Sequence, residues 1–207
     1  MEEPLFTPVI VLLIAGNVLA SLYALSNAKF MDRNLFHVGP ILQNQEWHRL
    51  VTSGFLHGGF LHLFVNMYVL FTFGGEVEAQ LGTVSFIIVY FAALLGGNAW
   101  ALLENKNKPS YRALGASGAT SGVVMSFILF EPFRGMMIFP IPFFMPAVLL
   151  GVLFLVGSAI LAQRENKTIG HEAHLGGALA GIVATILVEP SALSNFSGQV
   201  AQALGGV

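Results

Sequence analysis

Four side chains in this chain of 207 residues have types and placements that suit acyl transfer: Ser117, His174, His62 and Asn66. Ser117 lies in Gly115-Ala116-Ser117-Gly118, between a charged, wet stretch (Glu104, Lys106, Lys108, Arg112) and the apolar run from Val123 to Phe130. A serine so placed falls in the first turn of a membrane helix. There, unpaired backbone N–H groups and the positive end of the helix dipole stabilise a developing oxyanion. His174 is the candidate base, taking the serine proton during attack on a carbonyl and returning it to the leaving amine. His62 and Asn66, four apart on one helical face, are candidate oxyanion donors beside the N–H of Ser117. Gly-x-Ser-Gly alone carries little weight in a chain with 23 glycines, and Gly118 with Gly122 also reads as a small-residue surface for close helix packing. The two readings are compatible, because a nucleophile needs its base brought near.

These groups must be positioned by membrane helices. Hydrophobic residues make up 55% of the chain and charged residues 10%, and the mean hydropathy is +0.74, which together mark an integral membrane protein. The net charge of −2 and the lack of a Lys/Arg cluster argue against a nucleic-acid partner. With no cysteine, thiolate nucleophiles and cysteine metal sites are excluded. The apolar run behind Glu2 and Glu3 exceeds a signal peptide's core and reads as a retained first span.

The pattern predicts an all-α membrane protein, six transmembrane helices in one compact bundle forming a single domain over residues 1–207. The spans fall at about 5–26, 58–74, 83–103, 117–130, 145–161 and 172–188. Residues 29–56 mix charged and aromatic side chains and read as an amphipathic connection in the interface. Gly135 to about Phe144 is predicted to be an interfacial connector, broken by Pro140 and Pro142. The tail from Ser191 to Val207 is expected at the interface or disordered.

Spans two, four and six run in the same direction, because one return span separates each from the next. Their starts share a side, which places His62, Asn66, Ser117 and His174 at one depth below one surface. Ionisable and amide side chains are costly inside a bilayer and tend to face the bundle interior, so Asn17, His57, Asn98 and Ser121 are also noted. His174, Gly177 and Gly181 form a face of minimal bulk that can lie against Gly118 and Gly122, bringing imidazole toward hydroxyl. No Asp or Glu inside a span is placed to complete a triad. Glu172, the nearest carboxylate to His174, is expected to be an exposed acidic residue at a helix N-terminus.

In four motifs the chain resembles the rhomboid intramembrane serine proteases, and the match covers most of its length. Glu46-Trp47-His48-Arg49 is similar to the family's Trp-Arg motif with one residue inserted. His57, His62 and Asn66 resemble H-x(4)-H-x(3)-N. Gly115 to Gly118 resembles G-x-S-G, and Ala173-His174-Leu175-Gly176-Gly177 with Gly181 is similar to A-H-x-x-G-x-x-x-G. The resemblance implies a rhomboid-like bundle that hydrolyses a peptide bond in or beside the transmembrane segment of a single-span protein, without metal or cofactor. It maps Ser117 to the nucleophile, His174 to the base, and His62 with Asn66 to the oxyanion hole. It also implies a multi-pass protein of the bacterial cell (inner) membrane, its site open to the outside. His57 is expected to pack or hydrogen-bond within the first loop.

Two features depart from that family pattern. The position four after the nucleophile, often aromatic in the family and stacked on the histidine, is Ser121. The imidazole must then be held from elsewhere in spans two, four and six, or else be more mobile, and Ser121→Tyr is expected to be tolerated unless another ring already lies there. Lys29, Arg33, Arg49, Lys106, Lys108, Arg112, Arg164 and Lys167 all lie on the side bearing the site, against Arg134 on the other, so the positive-inside rule would turn that face to the cytoplasm.

Two other classes compete. A zinc-dependent intramembrane protease is suggested by His171-Glu172-Ala173-His174, but H-E-x-x-H needs histidines four apart and position 175 is leucine. A transporter would carry paired charges or broken helices near mid-bilayer. A catalytically silent rhomboid-like protein that binds and escorts membrane clients is the remaining alternative.

Overall fold

The computed structural model describes residues 7–137, 144–162 and 170–205. Helix α1 (Pro8–Ser26) is capped by Thr7, whose hydroxyl accepts from the N–H of Ile10, with proline in the first turn. Three short helices follow: α2 (Ala28–Asn34), α3 (Val38–Asn44) and α4 (Arg49–Thr52), the last running into a 3-10 turn at Ser53–Phe55. The amphipathic connection of the first loop is therefore a structured platform. Arg49 holds it together. Its guanidinium is buried, donates to the carbonyls of Asp32 (2.7 Å) and Leu35 (2.8 Å), and pairs with Glu46 (2.6 Å). That set satisfies the charge of a buried arginine.

Helix α5 (Phe60–Leu81) continues beyond the predicted end at residue 74, through Gly74, Gly75, Glu76 and Glu78. Two physical reasons explain the extension. A Cβ at Gly74 would lie 2.6 Å from Ile10 Cδ1, so the glycine serves close approach of α1 rather than chain termination. The glutamates have partners: Glu78 accepts from Thr7 and from Thr83 Oγ1 (2.6 Å), and Glu76 pairs with Arg134. Gly82, at φ +75°, then allows the reversal into α6 (Thr83–Asn105).

Helix α7 (Ser117–Phe130) starts and stops where the sequence pattern places it, and most of its side chains are buried. The connector after it is a hairpin in which β3 (Gly135–Met137) pairs antiparallel with β4 (Phe144–Pro146); the predicted Pro140 and Pro142 break lies outside the described residues. A second small sheet pairs β1 (Phe36–His37) with β2 (Arg112–Ala113), joining the first loop to the segment before Ser117. Helices α8 (Ala147–Ala162) and α9 (His171–Val188) complete the bundle. The tail is helical, which excludes disorder over that stretch and leaves the interfacial alternative: α10 (Ser191–Ala203) buries Ala192, and Gln199 donates to the carbonyl of Phe130 (2.9 Å), satisfying the C-terminal end of α7.

Helices α1, α5, α6 and α9 are long and apolar enough to cross a membrane, and α7 and the described part of α8 are shorter apolar helices. The architecture is an all-α membrane bundle in which α6, α7 and α9 pack most closely. Glycine makes that packing possible. A Cβ at Gly177 would lie 2.2 Å from the carbonyl oxygen of Gly118, and one at Gly181 would lie 2.4 Å from the Cα of Gly122. On the other side, a Cβ at Gly97 would lie 2.5 Å from the carbonyl oxygen of Ala173. Bare backbone on both faces lets helices gain dispersion contact where lipid offers no hydrophobic driving force.

Candidate active site

The starts of α5, α7 and α9 converge on a cavity of about 1320 Å³. Its lining includes His62, Asn66, Ser117 and His174, so the four residues singled out from sequence share one space. Ser117 is the first residue of α7, and its Oγ lies 2.7 Å from His174 Nε2. At that separation the hydroxyl can donate to an unprotonated ring nitrogen.

The loop before Ser117 is shaped by Gly115, at φ +123°. A side chain there would be strained and would meet the His62 ring, with Cε1 at 2.7 Å and Nε2 at 2.8 Å, and Ser117 Oγ at 3.7 Å. His62 therefore lies against the loop that presents the serine. Asn66 turns its Nδ2 to the carbonyl of His62 (2.9 Å) and accepts from Thr120 Oγ1 (3.2 Å), which ties α5 to the first turn of α7.

His57 has a wider role than the expected contact within the first loop. It is fully buried, with Nδ1 2.9 Å from Ser21 Oγ on α1, and its Nε2 accepts from the N–H of Ala116 (3.4 Å). An accepting Nε2 requires the proton on Nδ1, which then donates to Ser21 Oγ, while the Ser21 hydroxyl donates to the carbonyl of Phe55 (3.0 Å). Burial, with the nearby His62, pushes its pKa down to about 4. A neutral His57 thus links α1 to the residue preceding Ser117. Asn98 supports the same loop from α6, donating to the carbonyl of Leu50 (2.7 Å) and to Ser53 Oγ (3.2 Å); Ser53 in turn accepts from the N–H of Gly115 (3.0 Å). Asn17 turns inward on α1 and donates to its own helix at Leu13 (2.8 Å).

The ring that stacks on His174 comes from the helix after the hairpin. Phe154 of α8 lies with its centroid 6.1 Å from the imidazole and its plane tilted by 24°. This replaces the expected support from spans two, four and six. Ser121 is buried, and its hydroxyl donates to the carbonyl of Ser117 (2.6 Å). A tyrosine at position 121 would therefore compete for the place that Phe154 already takes. Periodicity could not have singled out one of several apolar residues in α8 as the stacking ring.

Glu172 also departs from expectation. It is 1% exposed, and its Oε1 accepts from Asn105 Nδ2 (2.8 Å) and from the Tyr111 hydroxyl (2.6 Å). The Tyr111 hydroxyl stays protonated, its pKa pushed up by burial and then by this bond to the carboxylate. Among the described residues, no group of three or more His, Asp or Glu side chains is arranged to hold a metal ion.

A family model for the Rhomboid domain matches residues 44–191. The chain belongs to the rhomboid family. It is 30% identical over 190 residues to the mitochondrial RHOMBOID-like protein 12 of Arabidopsis thaliana, covering 84% of this chain and 56% of that one. Over 144 residues it is 31% identical to the Bacillus subtilis protein YdcA, described as a candidate rhomboid protease, covering 70% of this chain and 68% of that one. An Arabidopsis thaliana protein described as inactive, RHOMBOID-like protein 8, is 33% identical over 86 residues, 42% of this chain and 24% of the relative. The chain thus spans little more than half the length of the first of these rhomboids and less of the third. Membership, with four helices among the described residues long and apolar enough to cross a membrane, makes this a multi-pass membrane protein.

Proposed function

We propose that this rhomboid is an intramembrane serine endopeptidase working by a Ser-His dyad. One observation carries the reading: Ser117 Oγ lies 2.7 Å from His174 Nε2 at a helix start, inside a cavity that reaches the bundle's apolar side through Phe60, Leu61, Val65 and Leu153. In the proposed sequence, His174 takes the Ser117 proton as Oγ attacks the scissile carbonyl. The tetrahedral oxyanion accepts from the N–H of Ser117 and from His62 and Asn66. Collapse breaks the C–N bond as His174 protonates the amine, and water, deprotonated by His174, then hydrolyses the acyl-enzyme. Phe154 confines the imidazole, and no metal or cofactor enters any step.

The six-span arrangement belongs to this reading, with α7 and α8 as short spans. So do substrates that are single-span proteins in the bilayer, whose helices unwind readily near the cut, since a peptide bond in an intact helix is hydrogen-bonded and shielded. We place the protein in a bacterial inner membrane with the site toward the outside. The buried cage around Arg49 supports discounting that residue as a topology signal, and Arg112 is paired with Asp32 (3.1 Å). Reporter fusions at residue 134 and at the C-terminus test that orientation.

The decisive experiment is labelling of the purified protein with a serine-reactive fluorophosphonate or isocoumarin, together with cleavage of a reconstituted single-span substrate. Ser117→Ala is expected to abolish both. Labelling that survives in Ser117→Ala sinks the assignment. A second reading, a silent client-binding protein, is favoured by the inactive Arabidopsis relative; it predicts substrate capture with no labelling of the native chain.

A further inference from the structure

The turn of α9 that carries His174 is held by a buried acidic side chain that the hydrolytic steps do not use. Glu172 and His174 are two residues apart, so on an α-helix they point about 200° apart around the axis. His174 faces the cavity and Ser117, while Glu172 faces the end of α6 and the segment before Ser117. Between them, the carbonyl of Ala173 lies against the bare backbones of Gly97 and Gly118. The hydrogen bonds of Glu172 on the far side therefore set the rotation of the turn, and that rotation sets where the imidazole lies.

The partners of Glu172 are themselves anchored. Asn105 also donates to the carbonyl of Ala101 within α6 (3.0 Å). Tyr111 is fixed by its carbonyl, which accepts from the N–H of Val38 (3.1 Å), and by an edge contact with Phe36 at 6.0 Å between centroids. Through one oxygen, Glu172 thus ties the first turn of α9 to α6 and to the sheet joining the first loop with the segment before Ser117. A buried carboxylate is a costly way to fill space, and an apolar side chain of the same size would fill it with less desolvation. What the carboxylate supplies, and an apolar side chain cannot, is a directional acceptor.

Resting on the dyad reading above, we infer that Glu172 is a positioning residue for His174, acting through hydrogen bonds from Asn105 and Tyr111. The shared Oε1 predicts a sharp distinction: Glu172→Gln keeps an acceptor there, whereas Glu172→Leu removes it at similar size. The test measures fluorophosphonate labelling over a range of concentrations. It separates the maximal rate constant per labelled molecule from the half-saturating concentration and reads folding independently by thermal melting. Glu172→Leu is expected to lower the maximal rate constant by on the order of 100-fold, the loss that a displacement of about 1 Å brings, with the half-saturating concentration little changed. Glu172→Gln should retain most of the rate. Asn105→Leu should be slowed as well, and the double variant Asn105→Leu with Glu172→Leu should be no slower than Glu172→Leu alone, because the two act through one contact. If Glu172→Leu does not fold, Asn105→Leu decides by the same measurement. A maximal rate constant unchanged in the leucine variants, or a Glu172→Gln protein as slow as Glu172→Leu, overturns the positioning role while leaving the dyad intact. A native chain that does not label at Ser117 overturns both.

Discussion

Replacing Gly177 by alanine tests whether helix spacing sets the chemistry, because it adds one methyl group and no reactive atom. The added Cβ would lie 2.2 Å from the carbonyl oxygen of Gly118, against ordinary contact beginning at about 3.4 Å. Relief requires α9 to move from α7 by about 1.2 Å, the difference between those distances. The obstacle is backbone, so no side-chain rotation can absorb it. Gly177 lies one turn after His174 and Gly118 directly follows Ser117, so the movement is applied where the Ser117 and His174 side chains meet. The Oγ to Nε2 separation of 2.7 Å would open to nearly 4 Å, beyond a hydrogen bond. A loss on the order of 100-fold in rate follows from a displacement of that size, which is about 2.7 kcal/mol in barrier. The assay is the maximal rate of fluorophosphonate labelling of Ser117 in detergent, with the melting temperature recorded alongside. A folded Gly177→Ala protein that labels at the native rate would refute the reasoning, since it would show that the dyad geometry does not depend on this contact. Gly181→Leu, whose Cβ alone falls 2.4 Å from Gly122 Cα, should be more damaging still.

Replacing His62 or Asn66 by alanine should lower turnover by about 3 kcal/mol in barrier with much less change in substrate binding, as for loss of an oxyanion donor; equal turnover in the double variant removes them from the site. Phe154→Ala should slow turnover by leaving His174 unstacked, and Ser121→Tyr should be inactive through a clash near the same imidazole; an active Ser121→Tyr enzyme would show that the cavity has room for a second ring. His57 predicts a pH dependence of stability. Its folded pKa of about 4 lies below the ordinary 6.5, so between those values the unfolded chain binds a proton that the folded one refuses. Stability is fully present above pH 6.5 and declines toward pH 4, by on the order of 3 kcal/mol for this one group. His57→Gln should flatten that decline, and parallel melting curves for the two proteins at pH 7 and pH 4.5 would contradict the assignment.

The amino-acid sequence by itself determines the class of this protein and, on the six-span reading, implies the parity of its helices. An apolar chain with few charges must bury its backbone polar groups in helices, and on the six-span reading three spans separated by single returns would begin on one side. That is why Ser117, His174, His62 and Asn66 group together from sequence alone, and why Gly118, Gly122, Gly177 and Gly181 read as facing surfaces. Helix ends were less legible. Gly74-Gly75 looks like a stop, and only the approach of Ile10 and the partners of Glu76 and Glu78 turn it into helix interior. The tail likewise depends on the contact of Gln199 to Phe130, which exists only once α7 ends beside it.

What tertiary structure alone decided are the contacts between elements distant in the chain. Phe154 reaches His174 from another helix, the buried Glu172 finds Asn105 and Tyr111 across 67 and 61 residues, and His57 bridges Ser21 to Ala116. Spacing along one helix reports which face a side chain occupies. Which neighbour meets that face depends on how the helices are rotated and how closely they pack, and here glycine contacts between whole helices set both.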